Sequence, residues 1–295
     1  MRVHEHLLAR GDLTDDERDR AQHALALDYL KAGLLDRAEA ALLKLEGTRF
    51  EAQARLALLA NYERSRDWTL AAEIARKLET AGQGSFAGRL AHYLCEQAAT
   101  LVATAQNDQA QTLLVQAIAS APNAARARID LAHLQFVMGE PLKAYGTLEE
   151  ALNDAPQSIG LMAQPLSQYA IEAGQTDAAL QSLKKAYQSA PSLDVLDAIV
   201  ALEANQPNKP TDARNWYVHH LENHPSLVAA AQWIAGEKLE HEQFHPQVQR
   251  ALDHAVKPLK RYRCAACGFE AKQHFWHCPG CQAWDSYPAR RVEEL

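Results

Sequence analysis

The chain has 295 residues, of which 47% are apolar and 23% charged, and its formal net charge is −7. This balance is typical of a folded globular protein and excludes a disordered chain or a generally basic nucleic-acid-binding protein. No apolar run approaches the roughly 18 residues of a membrane-spanning helix, and the first residues do not begin a secretory signal. We therefore expect a soluble chain in a reducing compartment.

The N-terminal segment has the pattern of half a helical hairpin. Residues 3–9 read as the second helix of such a hairpin, with a turn at Gly11 and Asp12, but no first helix precedes them. Helical repeat arrays normally begin with a complete capping repeat. We therefore expect that the natural protein extends upstream or that this start site is misassigned.

A repeat of about 34 residues follows. A small residue recurs with successive spacings of 33, 39, 34, 35 and 34 residues, at Ala38, Ala71, Ala110, Ala144, Ala179 and Ala213. This period is typical of the tetratricopeptide helix–turn–helix unit. The small side chains allow neighbouring helices to approach closely, so that stacked units bury a shared core.

Three further features keep the same register. Five residues before each alanine lies a turn position, at Gly33, Arg66, Ala105, Gly139 and Gly174, where glycine suits a left-handed helix end. Four residues after it lies Leu42, Ala75, Leu114, Leu148, Leu183 or Tyr217, and four units end with Pro122, Pro156, Pro191 or Pro225. We predict an all-α fold, a right-handed tetratricopeptide solenoid of about six units over residues 1–245, truncated at its first unit, with a concave groove as its binding surface.

Some positions depart from the regular repeat. The first helix of the fourth unit would direct Arg126, His133 and Phe136 toward the groove, although ordinary surface and packing roles are the stronger expectation. Pro165 predicts a late start for the first helix of the fifth unit. An insert at residues 205–210 replaces the turn of the sixth unit.

One segment matches an enzyme motif. Residues 241–245 read H-E-x-x-H, the zinc-binding helix of metalloproteases. Pro246 disfavours helical geometry at His245, and Ala251 occupies the place of a third metzincin histidine, so we interpret the match as chance. The sequence also has no G-x-S-x-G elbow and no P-loop, and we predict that the protein is not an enzyme. Cys95, alone in a helical pattern, is predicted to be a buried apolar residue.

A predicted connecting helix over residues 246–260 leads to a C-terminal segment, residues 261–295, with two paired-cysteine turns. The pairs are Cys264 with Cys267 and Cys278 with Cys281. Each pair fits a knuckle that directs two sulfurs at one ion, and four thiolates complete a tetrahedral shell for one zinc ion, or for iron as in rubredoxin. A full shell leaves no position for substrate, which indicates a structural site. A thioredoxin-type CxxC needs a βαβ setting, and disulfides need an oxidising compartment, so both are disfavoured.

Basic and aromatic residues surround these turns. The basic residues are Lys257, Lys260, Arg261, Arg263, Arg290 and Arg291. They could meet phosphate, a membrane surface or an acidic partner, although a solvated face is the simpler interpretation. The aromatic residues expected to enclose the thiolates or to dock the ribbon are Tyr262, Phe269, Phe275, Trp276, Trp284 and Tyr287. His277 adjoins Cys278 but is not expected to be a ligand.

The two parts together resemble the lipopolysaccharide assembly protein B family of Gram-negative bacteria. The likeness is most specific in the ribbon, where residues 262–269 read YRCAACGF and residues 275–284 read FWHCPGCQAW. Residues 36–39 (DRAE) and 224–226 (HPS) are also similar to the family. The resemblance covers nearly the whole chain, but the family's N-terminal membrane anchor and roughly its first two repeats are absent from this sequence.

The resemblance implies a non-enzymatic adaptor at the cytoplasmic face of the bacterial inner membrane. Such an adaptor would help a membrane-bound AAA+ protease to degrade the zinc deacetylase that commits precursors to lipid A, and a lipopolysaccharide-sensing membrane protein would oppose it. We expect no nucleic-acid partner and leave homo-oligomerisation open. Two alternatives remain: an iron rubredoxin that transfers electrons, fused to an interaction solenoid, and a nucleic-acid-binding zinc ribbon that uses the basic residues.

Overall fold

The computed structural model describes residues 1–206, 213–236 and 244–295. The chain divides into two compact units, Met1–Pro122 and Asn123–Leu295. Both are built mainly from α-helices that pack on their neighbours in sequence. Within the described ranges, no helix is long and apolar enough to cross a bilayer.

The first unit consists of helices joined by short turns. They are α1 (Arg2–Leu8), α2 (Asp15–Lys31), α3 (Leu35–Leu43), α4 (Glu51–Ser65), α5 (Trp68–Thr80), α6 (Ala87–Ala103) and α7 (Asn107–Ser120). A capping box begins α2, in which the Thr14 hydroxyl accepts from the Glu17 amide and the Glu17 carboxylate accepts from the Thr14 amide. The segment predicted to be half a hairpin forms α1, which contacts α2 through a pair between His4 and Asp28. Cys95 is buried in α6, as predicted.

The second unit contains further helical hairpins and the C-terminal ribbon. Its elements are α8 (Ala125–Val137), α9 (Pro141–Asp154), α10 (Ile159–Glu172), α11 (Thr176–Ser189), α12 (Leu193–Ala204), α13 (Ala213–Asn223), α14 (Leu227–Ala235), α15 (His245–Val256), β1 (Tyr262–Arg263) and β2 (Glu270–Ala271). Short 3-10 helices span Pro156–Ser158 and Val292–Glu294. A core of fully buried side chains, including Leu148, Met162, Leu166, Leu183 and Leu196, connects its helices.

The structure confirms the repeat register at its turns. All five predicted turn residues, Gly33, Arg66, Ala105, Gly139 and Gly174, have φ between 58° and 80°. Arg66 and Ala105 adopt this left-handed conformation although they carry a Cβ, which makes it more costly for them than for glycine. The requirement for a tight hairpin turn therefore outweighs the preference of arginine and alanine for a negative φ.

The buried positions of the repeat follow the same register. The recurring alanines Ala38, Ala71, Ala110, Ala144 and Ala179 are all completely buried, and the side chain of Ala213 lies outside the described part of the chain. The residues four positions later are also buried. Helices α7, α9, α11 and α13 each end two residues before the predicted proline.

The predicted late start of the fifth unit's first helix is wrong. Helix α10 begins at Ile159 and continues through Pro165. A proline inside a helix removes one backbone hydrogen bond and costs on the order of 3 kcal/mol. Met162 and Leu166, on either side of the proline, are fully buried in the core, and their burial holds the helix in place.

The residues predicted to face a groove take part in packing and ion pairs within α8 and α10. Phe136 stacks on Tyr169 with ring centroids 4.3 Å apart, and His133 Nδ1 lies 3.2 Å from the Tyr169 hydroxyl. Arg126 lies 3.4 Å from Asp130, one turn along the same helix. These contacts fit the ordinary packing roles that were the stronger expectation.

Two other predicted features lie partly outside the described residues. Of the insert at 205–210, the structure describes only Asn205 and Gln206. Residues 241–243 of the H-E-x-x-H match are also outside, while His245 is the first residue of α15 and is followed by Pro246 in the first turn.

Candidate metal centre

Two knuckles form the ribbon, and backbone hydrogen bonds define both. In the first, β1 pairs antiparallel with β2, the Cys264 amide donates to the Phe269 carbonyl (2.9 Å), and the Gly268 amide donates to the Cys264 carbonyl (2.9 Å). Gly268 has φ of 77°, a value that glycine adopts without strain. The loop between the strands thus carries the first two cysteines.

The second knuckle has the same hydrogen-bond pattern. The Cys278 amide donates to the Ala283 carbonyl and the Gln282 amide donates to the Cys278 carbonyl, both at 2.9 Å. Gln282 takes the left-handed position, with φ of 61°. Gly280 faces the first knuckle, where a Cβ would lie at an ordinary contact distance of 3.5 Å from the Cys267 sulfur.

The two knuckles bring four sulfur atoms together. The ligand atoms of Cys264, Cys267, Cys278 and Cys281 all lie within 4.8 Å of one another. Cys264 Sγ is 3.8 Å from Cys281 Sγ, and Cys267 Sγ is 3.7 Å from Cys278 Sγ. A tetrahedral site with metal–sulfur bonds of about 2.3 Å has sulfurs about 3.8 Å apart, whereas a disulfide bond is about 2.05 Å long. The four cysteines therefore form a possible metal-binding site and fit a zinc or iron ion.

Hydrogen bonds to sulfur favour the thiolate form that a metal requires at two of the four cysteines, Cys264 and Cys278, whereas burial and the neighbouring cysteines raise the pKa of Cys267 and of Cys281. Burial raises the pKa of the Cys264 thiol, but its hydrogen bonds with the Ser286 hydroxyl and with the Cys267 amide outweigh this effect and lower the pKa below its usual range. The amides of Cys281 and Gly280 likewise lower the pKa of Cys278 against the effect of burial. This pattern of amide donors is the outer-shell support expected around a thiolate-bound ion.

The site is buried on one side and open on the other. Cys264 and Cys278 are buried, whereas Cys267 and Cys281 are exposed. Two buried tyrosines, Tyr262 and Tyr287, pack with the buried cysteines, and Leu161 of α10 and Phe275 add partly buried apolar surface. The ribbon thus shares one small core with the first turn of α10.

The other aromatic residues of the ribbon have different positions. Phe269 is 44% exposed and therefore covers the cysteines only in part. His277 stacks on Trp284 with ring centroids 4.3 Å apart and is not part of the sulfur cluster. His274 lies edge-on to Trp276, and its Nε2–H donates a hydrogen bond to the Tyr287 carbonyl, 2.9 Å away.

The C-terminal tail, residues 289–294, attaches the ribbon to the helical hairpins. The guanidinium of Arg291 donates to Asp194 of α12 at 2.8 Å and lies over the Tyr262 ring, 4.1 Å from its centroid. Part of the predicted basic cluster is therefore used inside the molecule. Arg263 is similarly paired with Glu270 at 2.8 Å, whereas Lys257 and Arg290 are exposed.

Two consecutive carboxylates of the tail reach the N-terminal ends of two helices. Glu294 accepts from the Leu193 amide at the start of α12, at 2.7 Å. Glu293 accepts from the Leu227 and Val228 amides at the start of α14, at 2.6 and 3.2 Å. Burial raises the pKa of Glu294 although its amide contacts act in the opposite direction.

Comparison with known proteins finds matches both in the ribbon and in the helical hairpins. Residues 262–287 match the model of the rubredoxin metal binding domain, and residues 101–164 match a tetratricopeptide repeat model. Lipopolysaccharide assembly protein B of Escherichia coli K12 is 28% identical over 306 aligned positions, covering 100% of this chain and 77% of the relative. The chain is similar along its whole length to lipopolysaccharide assembly protein B.

The protein of that name from Haemophilus influenzae is 26% identical and covers 97% of this chain and 73% of the relative. The resemblance to lipopolysaccharide assembly protein B that was expected from the ribbon and the repeats is thereby confirmed, as is the predicted fold class. Among solved structures, that of Pseudomonas aeruginosa PilF is 21% identical, covers 75% of this chain and 99% of that chain, and has a TM-score of 0.37.

Proposed function

We propose that this protein is a non-enzymatic adaptor that limits lipopolysaccharide synthesis at the cytoplasmic face of the inner membrane. It presents the deacetylase of the lipid A pathway to a membrane AAA+ protease, and a lipopolysaccharide-sensing membrane protein opposes this activity. The similarity to proteins named for lipopolysaccharide assembly supports the pathway. The observation that carries the adaptor role is a closed four-cysteine ribbon attached to tetratricopeptide hairpins, because such a site holds a shape and leaves no position for substrate.

The residues also indicate how the metal serves this role. Zinc, or iron, would be held by Cys264, Cys267, Cys278 and Cys281, and it supplies folding free energy to the ribbon rather than reaction chemistry. A segment of about 35 residues cannot bury enough apolar surface to fold alone. The ribbon is then a recognition element whose shape depends on its metal.

The proposal is tested in cells by the half-life of the deacetylase after protein synthesis is blocked. We expect a longer half-life in cells that lack this protein and in cells that carry Cys264→Ser. The matched control is Ala266→Ser, which introduces the same residue at an exposed position of the same knuckle and should keep the normal half-life. An unchanged half-life in cells without the protein contradicts the proposal.

Electron transfer by an iron centre is the second candidate function. The exposed positions of Cys267 and Cys281 favour it, because an electron must leave through ligands on the solvent side. Elemental analysis and the absorption spectrum of the purified protein decide between the two. Iron with visible thiolate-to-metal bands supports electron transfer, and zinc without such bands excludes it.

A further inference from the structure

The C-terminal tail links the metal ribbon to two helices that are far from it in sequence. Helices α12 and α14 each begin with backbone amides that have no acceptor within their own helix. Glu294 and Glu293, adjacent in the tail, accept hydrogen bonds from the first amides of α12 and α14, respectively. One short segment therefore caps both helices.

The helices depend on these carboxylates to different degrees. The N-cap residue of α12, Ser192, makes no side-chain capping hydrogen bond, so Glu294 takes over that role. At α14 the Ser226 hydroxyl accepts from the Ala229 amide and also donates to Glu293 at 2.7 Å. Negative charge at a helix N-terminus is favourable because the helix dipole is positive there.

Residues 259–261, which lead into the first knuckle, hold the tail in position. The Val292 amide donates to the Arg261 carbonyl at 2.7 Å, and the Glu293 amide donates to the Leu259 carbonyl at 3.2 Å. Arg291 donates to the Lys260 carbonyl at 2.9 Å and lies over Tyr262. The tail thus pairs with the segment that leads into the first knuckle.

The residue that follows this segment, Tyr262, packs at the metal site. Tyr262 is 5% exposed and packs with the buried cysteines Cys264 and Cys278. A ribbon without its metal lacks most of the free energy that folds it, because a segment of this size has too small a core. Loss of the metal then removes the surface against which the tail is fixed.

We propose that metal binding in the ribbon stabilises the N-terminal ends of α12 and α14 through Glu294 and Glu293. The tail acts as a latch, so the surface formed by the last hairpins is well ordered only when the ribbon is loaded. This coupling lies within the chain and does not depend on the partner proteins.

Hydrogen–deuterium exchange read by mass spectrometry tests the latch on the full chain. We compare the protein loaded with zinc as its only metal with the protein from which a chelator has removed the metal. Amides in the first turns of α12 and α14 should exchange about tenfold faster after stripping, since a lost helix cap changes the local opening equilibrium by roughly that factor. Amides of the hairpin α8–α9 serve as the internal reference and should not change. Unchanged exchange at both first turns, or a uniform increase that includes α8–α9, overturns the proposal.

A variant separates the latch from the metal site. The double substitution Glu293→Ala and Glu294→Ala should raise exchange at the same first turns while the zinc content stays at one ion per chain. Glu172→Ala is the matched control, because Glu172 is an exposed glutamate at the end of α10. The proposal is wrong if the double variant exchanges at these turns as slowly as the control does.

Discussion

Gly160 lies against the tail, so replacing it with alanine tests whether the tail docks at α10. If the tail docks there, the substitution should lower the free energy of unfolding, whereas helix propensity alone would raise it. Gly160 is the second residue of α10, and a Cβ added there would lie 2.5 Å from the Ala289 carbonyl oxygen. A carbon–oxygen contact of about 3.3 Å is normal, so the tail would have to move by about 0.8 Å. Gly146, inside α9, is the control, because a Cβ at that position would meet no atom within 4 Å.

The expected changes in the free energy of unfolding follow from the surroundings of the two glycines. Alanine is favoured over glycine in a helix by about 0.5–1 kcal/mol, so Gly146→Ala should raise the free energy of unfolding by that amount. Gly160→Ala gains the same helical preference but pays about 1–3 kcal/mol for overpacking, and we expect a net loss. Urea denaturation of the metal-loaded protein, followed by circular dichroism, measures both. If Gly160→Ala is stabilised as much as Gly146→Ala, the tail does not dock at α10.

Three further predictions concern the repeats. Ala105→Gly should stabilise the protein by about 0.5–1 kcal/mol in thermal unfolding, because Ala105 has φ of 58°, which glycine adopts more readily than alanine. Ala103→Gly should destabilise the protein, because Ala103 is the last residue of α6 and has helical geometry. Leu148→Ala should cost about 2–5 kcal/mol in urea denaturation because Leu148 is fully buried, while Leu142→Ala, 60% exposed, should change stability by about 0.5 kcal/mol or less. Burial lowers the pKa of His220, so the folded state resists protonation, and stability should fall as the pH drops below about 6.5. His220→Gln should show a weaker pH dependence, and an equal dependence would contradict this assignment.

The repeats could be predicted from the sequence because their requirements recur. Each hairpin needs a left-handed turn and a small buried residue at fixed offsets, so the same pattern appears several times in the chain. Even Arg66 and Ala105, which break the glycine pattern, were located by the register and have the backbone conformation that glycine has elsewhere. The prediction that Pro165 delays the start of its helix is wrong because the burial of Met162 and Leu166, a tertiary effect, outweighs the tendency of proline to interrupt a helix.

The cysteine cluster was predictable for a similar reason, but the docking of the ribbon was not. Knuckle spacing is local, so paired cysteines indicate converging sulfurs without knowledge of the rest of the fold. The contacts of the tail each occur once and join residues that are distant in the sequence, 97 positions apart for Arg291 and Asp194 and 101 for Glu294 and Leu193. From the sequence, Arg291 therefore belongs to a basic cluster whose simpler interpretation is a solvated face, since nothing local indicates its pairing with Asp194.

We propose that the metal-held ribbon makes this chain an adaptor for proteolysis. The most direct test of this proposal is the rate at which the purified membrane protease degrades the purified lipid A pathway deacetylase in the presence of this protein. We expect the metal-loaded chain to accelerate degradation, and Cys278→Ser, which removes one thiolate from the site, to fail to do so. Equal acceleration by the metal-loaded chain and by the Cys278→Ser variant would show that the metal-held ribbon is not required for the adaptor role.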